Sequence, residues 1–285
     1  MVTIHFLDEK EGHYLFERIN KLLNNQNISN RSTPIRIQYT DENALEIDMD
    51  HRDPVSDMLR PTILLFLAKH IIRTREAAWI IRILESNFYF TDIDEQLQIL
   101  SIAQSLIEGN SENIPLVSKF PSREDMIVDA LEDFFDSEMI FSYESFLQFR
   151  LKPYQELLTR YIECAIDEFK YEQEYQDFIN QLRQFVKSRV SLFSTVHLKH
   201  ERNQFKIYNE HYYELTKQDI EQLTKGKGKA YLQSIFSDLL KILVEIAPER
   251  IYLYTDAEDD SMNRTIQNVF QERVHILPNR KFLVR

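Results

Sequence analysis

PYQELLTRYIECAIDEFKYEQEYQDFINQLRQFV, running from Pro153 to Val186, decides the architecture of this chain. Leu157, Tyr161, Cys164, Phe169, Tyr175, Phe178, Leu182 and Phe185 return mostly at steps of three and four, the spacing of one helix face. No glycine interrupts the stretch, and its proline stands at the first turn, where a missing N–H leaves no helical bond unmade. The residues between are strongly acidic: Glu156, Glu163, Asp167, Glu168, Glu172 and Glu174. A long helix is therefore the organising element.

Reading outward, the helical period holds from Pro54 to about Val190. Pro61-Thr-Ile-Leu-Leu-Phe-Leu-Ala68 is apolar on more than one side, which predicts a central helix. That helix is expected to break near Arg73 and resume through Trp79, Ile80, Ile83 and Leu84. Asp92 or Asp94 can cap another, closed by Gly109, and Pro121 opens the next. In front of this region, residues 2–7 read as a strand, 9–23 as a helix, and 34–39 with 44–49 as a hairpin. Behind it, 192–197 and 204–208 read as a second hairpin, followed by helices at 217–223 and 230–246. Strand 250–255, helix 261–270 and strand 274–277 close the chain, and so short a βαβ crossover implies a parallel pair. The expectation is an α+β, mainly helical protein. Residues 1–52 form an N-terminal βαββ layer, 53–190 a central helical bundle and 191–285 a C-terminal mixed α/β unit, all packed into one compact body.

Composition removes several functions. Glycine occurs only four times, at Gly12, Gly109, Gly226 and Gly228. Dinucleotide folds, P-loops and kinase-type loops need clustered glycines so that backbone N–H groups can approach phosphate, and that cluster is missing. Cys164 is the single cysteine, so no intrachain disulfide forms, which fits a reducing compartment. The first residues carry no basic n-region and reach acid at Asp8, unlike a signal peptide. The longest apolar run, residues 63–68, is about a third of a membrane span. A cytoplasmic protein that avoids membranes is expected. Its net charge of −12 is unevenly spread: residues 121–180 hold fifteen acids against five bases, and 181–285 hold seventeen bases against thirteen acids. That balance argues against wholesale nucleic-acid coating, while leaving room for a local anion site near the C-terminus.

Three groups of residues are candidates for a site. Lys225-Gly-Lys-Gly-Lys229 precedes a helix, where free N–H groups favour an anion. The spacing is not that of a Walker loop, Ala230 replaces the metal-binding hydroxyl, and a solvated turn is the plainer reading. Asp256, Glu258 and Asp259, with Asp260, follow strand 250–255, the position at which carboxylates could hold Mg²⁺. Acids there also suit a helix start, which is the plainer reading. Arg150 and Lys152 stand alone ahead of the acidic helix, as a docking surface for a partner or as members of ordinary charge pairs. Lys199, Arg202 and Lys206 would join Lys225–Lys229 in any positive face used for nucleic acid.

Catalytic and metal motifs are scarce. His197 and His200 would meet one metal on a helix, but a strand sends them to opposite faces. No GxSxG elbow or HExxH occurs. Cys164 sits among Glu163, Asp167 and Glu168, which raise a thiol's pKa, so packing suits it better than nucleophilic work. No catalytic residue and no cofactor is assigned.

One resemblance stands out. Trp79 with Asn87-Phe-Tyr-Phe-Thr-Asp92, then Phe146-Leu-Gln-Phe-Arg-Leu-Lys-Pro-Tyr154, then Ile166-Asp-Glu-Phe169, Glu174-Tyr-Gln-Asp-Phe-Ile179 and Leu182-Arg-Gln-Phe-Val186 are similar to the YtxC-like proteins of spore-forming Firmicutes, often labelled sporulation proteins. Ile246-Ala-Pro-Glu-Arg-Ile-Tyr-Leu-Tyr254 and Val274-His-Ile-Leu277 resemble that family's C-terminal end. The likeness covers about residues 2–277, and departs at Arg189-Val-Ser-Leu-Phe193, where a proline-containing entry to the strand is expected. The resemblance implies a sporulation-associated role and brings no catalytic residues with it. The first expectation is thus a non-catalytic cytoplasmic interaction protein with a protein partner. The alternatives are a metal-dependent phosphate-handling enzyme built on the C-terminal unit, and a weak nucleic-acid or nucleotide binder using the basic C-terminal third.

Overall fold

In the computed structural model, residues 1–25, 35–49, 53–109, 120–136, 139–202, 204–216, 218–219 and 238–282 are described. They divide into two compact units, Met1–Lys170 and Tyr171–Arg285. The fold is α+β and mainly helical.

The first unit starts with β1 (Val2–His5), α1 (Glu9–Asn25), β2 (Ile35–Thr40) and β3 (Ala44–Met49), the expected βαββ order. The hairpin pairs Ile35 with Met49 through Thr40 with Ala44, and β1 runs antiparallel to β3. Gly12 lies where α1 crosses β2, and a Cβ there would collide with the Tyr39 ring. A fourth strand, β4 (Ile140–Ser142), extends the sheet on the other side of β1 and runs parallel to it. Three residues are too few for a period of two to register in a sequence, so this strand is not legible there.

The helices of this unit are α2 (Pro54–Phe88), α3 (Ile93–Ile107), α4 (Arg123–Asp136), α5 (Tyr143–Phe149) and the first part of α6 (Lys152–Ser188). Asp53 caps α2 by accepting Val55 N–H at 2.7 Å, and Pro54 occupies its first turn. Asp92 caps α3, which ends near Gly109 at φ +73°. The break expected near Arg73 does not occur, because the polar run Arg73-Thr-Arg-Glu76 faces partners on other elements. Arg73 donates to the Tyr14 hydroxyl at 2.7 Å. His70 Nε2 lies 2.9 Å from Glu11 Oε1, and Arg75 donates to the same carboxylate. One residue on, Glu76 accepts from Arg123 at 3.0 and 3.2 Å and from the Tyr154 hydroxyl. Ion pairs thus carry the helix through a stretch with little apolar character. Around them Ile4, Leu15, Ile47, Ile63, Leu64, Ile80, Phe135, Phe146 and Tyr154 are fully buried in one core.

The second unit takes the end of α6 together with β5 (Thr195–Glu201), β6 (Gln204–Asn209), α7 (Asp238–Ile246), β7 (Arg250–Tyr254), α8 (Ser261–Phe270) and β8 (Val274–Leu277). Strand order is β6-β5-β7-β8; β5, β7 and β8 are parallel and β6 is the antiparallel edge. The short β7–α8–β8 crossover makes the predicted parallel pair. Alternation sorts the side chains by face. Val196, Leu198, Ile207, Ile251 and Leu253 are buried with Leu182, Leu243, Val244, Ile266 and Phe270. On the other face the His197 ring stacks on Tyr212 at 4.2 Å and on Tyr252 at 5.4 Å, and its Nδ1 is 3.2 Å from the Tyr254 hydroxyl. Burial pushes the His197 imidazole below the usual histidine range.

Candidate functional site

The hairpin of the second unit is longer than the strand beside it. β5 pairs with β7 only from Thr195 to Lys199, whereas its ladder with β6 continues to Glu201 opposite Gln204. The tip turns at Arg202, φ +50°, and overhangs the carboxyl ends of the parallel strands. Between that overhang and the turns after β7 and β8 lies a cleft of about 760 Å³, lined by Lys199, His200, Arg202, Lys206, Thr255, Asp256 and Asn279 among others.

Part of the lining is buried and polar. Thr255 is 2% exposed and His200 5%; Asn263, on α8 beside them, is wholly buried. Thr255 Oγ1 accepts Ala257 N–H at 3.0 Å and Asn263 Nδ2–H at 3.2 Å, so its own proton is free to reach His200 Nδ1 at 3.2 Å. Asn263 Nδ2 also lies 3.1 Å from that nitrogen and donates to the Ala257 carbonyl at 2.7 Å. With the two Asn263 N–H groups directed to Thr255 and Ala257, the Thr255 hydroxyl is the donor that His200 Nδ1 accepts. In that arrangement the neutral ring carries its proton on Nε2. Phe205 holds the ring flat against it, centroids 4.2 Å apart and planes within 5°. Asn279 fastens the opposite wall: its N–H donates to Asp256 Oδ1 at 3.1 Å and its Nδ2 to the His200 carbonyl at 2.9 Å. The side-chain oxygens of Asn263 and Asn279 are buried with no partner among the described residues.

The charged residues are mixed in sign. Lys199 and Lys206 stand directly opposite each other in the ladder, a like-charge pairing that weakens a hairpin. Lys199 Nζ meets Glu201 at 2.9 Å and lies 5.1 Å from the Phe282 ring centre, and Lys206 Nζ meets Glu214 at 3.3 Å.

Of the residues singled out in the sequence, Asp256 joins the cleft, while Glu258 and Asp259 do not line it. Asp259 pairs with Arg264 at 2.9 Å, and Asp260 caps α8 by accepting Met262 and Asn263 N–H. Among the described residues no three His, Cys, Asp or Glu side chains come together as a metal site. Lys225, Gly226, Lys227, Gly228 and Lys229 lie outside the described residues. Arg150 and Lys152 belong to the first unit. The Arg150 guanidinium sits 5.2 Å from the Phe134 ring centre and lines a smaller hollow of about 340 Å³ with Asp129 and Asp133. Lys152 opens α6 and is exposed. His197 and His200 fall on opposite faces, as strand geometry requires. Burial, then Asp167 and Glu163, push the Cys164 thiol upward, which fits packing. Sequence reading missed His200, Thr255 and Asn279 as partners in one site. Their one legible signal was position, at or just beyond strand ends.

A mainly helical α+β protein with a cleft at the carboxyl ends of a small mixed sheet is the class these features define. The profile of the YtxC-like family matches residues 62–275, so the chain belongs to that family. It is also 36% identical to the "Uncharacterized protein YtxC" of Bacillus subtilis (strain 168) over 229 residues, covering 80% of this chain and 79% of that protein. No solved structure is significantly similar. Among the described residues no helix is long and apolar enough to cross a membrane.

Proposed function

We propose that this chain works by binding, as a cytoplasmic interaction protein with a sporulation-associated role, and that its recognition surface is the cleft of the C-terminal unit. The observation that carries this reading is the buried His200–Thr255–Asn263 cluster beside an open cleft. Three polar side chains removed from water lower stability unless hydrogen bonds replace the solvent. Here hydrogen bonds among the three replace much of it, and the Asn263 side-chain oxygen is left buried without a partner among the described residues. The location supports the same reading, because ligands of α/β sheets collect outside strand carboxyl ends. So does the volume, which falls within the roughly 300–1,000 Å³ usual for small-molecule sites. Arg150 and Lys152 remain a second surface for a protein partner.

A thermal-shift screen of the full chain against small polar compounds of varied charge tests the cleft, with Thr255→Val run beside the wild type. A compound that raises the wild-type melting temperature, and has a much smaller effect on the variant, supports the reading. Equal shifts in both would place binding elsewhere and sink it. A pull-down from sporulating cells with Arg150 and Lys152 reversed to glutamate tests the second surface, and unchanged partners remove it.

A further inference from the structure

We infer that the start of α3 and the turn before it form a docking surface of the first unit, and that its occupant is an amphipathic helix of a protein partner with Lys or Arg flanking its apolar stripe. Ile93, Leu97 and Leu100 follow at steps of four and three, so they make one ridge along α3 beside its buried residues Gln96, Ile99, Ala103 and Leu106. The fold leaves this ridge largely open: Ile93 is 70% exposed, Leu97 54%, and Leu100 is half-buried. A ridge of that period packs into the groove of another helix.

Tyr89 points the same way. It ends α2 in the left-handed region, φ 60° and ψ 25°, with its N–H on the Leu84 carbonyl. Glycine is the usual residue there, because a Cβ crowds the following carbonyl. The Tyr89 ring recovers little for the fold, being 81% exposed. A bulky residue held in a costly conformation with its ring in water is the pattern of a binding anchor, and tyrosine is among the residues that dominate interfaces. Only Phe90, Thr91 and Asp92 separate it from the ridge, and the Gln96 side chain ties that turn to α3 by donating to the Phe90 carbonyl at 2.8 Å. Charge selects the occupant. Residues 83–109 hold five acids, Glu85, Asp92, Asp94, Glu95 and Glu108, and no lysine, arginine or histidine. Asp94 and Glu95 are exposed next to Ile93. A partner helix edged with cations meets them favourably, whereas a second copy of this chain brings the same acids against them.

Fluorescence anisotropy of the full chain with three labelled peptides tests this. One is an amphipathic Leu/Lys helix of about 18 residues. The second replaces every Lys by Glu, and the third scrambles the order so that the charge stays and the apolar stripe is lost. The first should bind saturably in physiological salt, and the other two much more weakly. Tyr89→Gly and Leu97→Gln should each weaken it by about tenfold or more. Tyr89→Gly should also melt no lower than the wild type, since glycine accepts the conformation; a lower melting temperature would give the ring a role in the fold and overturn the assignment. So would a scrambled or acidic peptide that binds as tightly, failure of the Leu/Lys peptide to bind, or wild-type affinity in either variant. Sedimentation covers the remaining occupant: a wild-type dimer that Leu97→Gln turns into a monomer assigns the ridge to a second copy and overturns the proposal.

Discussion

Glu76 holds together a buried polar knot of the first unit, because Arg123 and the Tyr154 hydroxyl both end on its carboxylate. It is 6% exposed, so replacement by alanine strands a cation and a phenol inside the core. Breaking one side of a buried pair typically costs about 3–5 kcal/mol; Arg123 keeps partial access to water, so we expect about 3 kcal/mol from urea unfolding of Glu76→Ala. The neighbouring knot predicts a pH effect. Burial alone would raise the Glu11 carboxyl, but the His70 hydrogen bond and the Arg75 and His70 charges outweigh it and leave the pKa below its ordinary 4.5. A carboxyl lowered on folding adds stability above its unfolded pKa, and that share is lost as pH falls through the folded value. The stability gap between wild type and Glu11→Gln should therefore be full at neutral pH and narrow steadily below pH 4.5. A gap that stays constant to pH 3 would refute the assignment.

At the scale of elements, caps were the features most easily read. The sequence offers Asp92 or Asp94 as a cap and Asp92 caps α3, while the acids after strand 250–255 suit a helix start and Asp260 caps α8. Replacing Asp260 by alanine should cost about 1 kcal/mol, measured as a lower unfolding midpoint. The course of α2 was harder to read, since Pro61 lies inside it and a polar run follows. A proline there removes one backbone bond, and its side chain is exposed and packs little. Pro61→Ala is expected to stabilise the chain by about 1–2 kcal/mol, after allowing for the greater freedom of the unfolded variant. Circular-dichroism melts would decide, and a lower midpoint would show that the proline sets a bend the core needs. The helix survives Arg73-Thr-Arg-Glu76 through bonds to Tyr14, Glu11, Arg123 and Tyr154, residues 47 to 78 positions away for three of these contacts. No local window contains those partners.

Across the whole molecule, two separate cores predict two calorimetric transitions, and His197 tells them apart. Its pKa is depressed by burial, so its neutral form contributes stability above the unfolded value of 6.5, and that share is lost as pH falls below it. Lowering the pH from 7 to 5.5 should move the transition of the C-terminal unit down more than the other, and His197→Phe should reduce that difference. Coincident transitions that shift together would contradict it. What the chain's own residue order determined was the element list and the fold class. Helical spacing, β-branched alternation, caps and the scarcity of glycine are local properties that neighbouring residues enforce on one another. What only tertiary structure decided was the site. His200, Thr255, Asn263 and Asn279 are brought together by strand pairing, up to 79 residues apart in the chain, and the same pairing sets Lys199 against Lys206. Strand register is fixed by which side chains can be buried together, a condition that no short stretch of sequence contains.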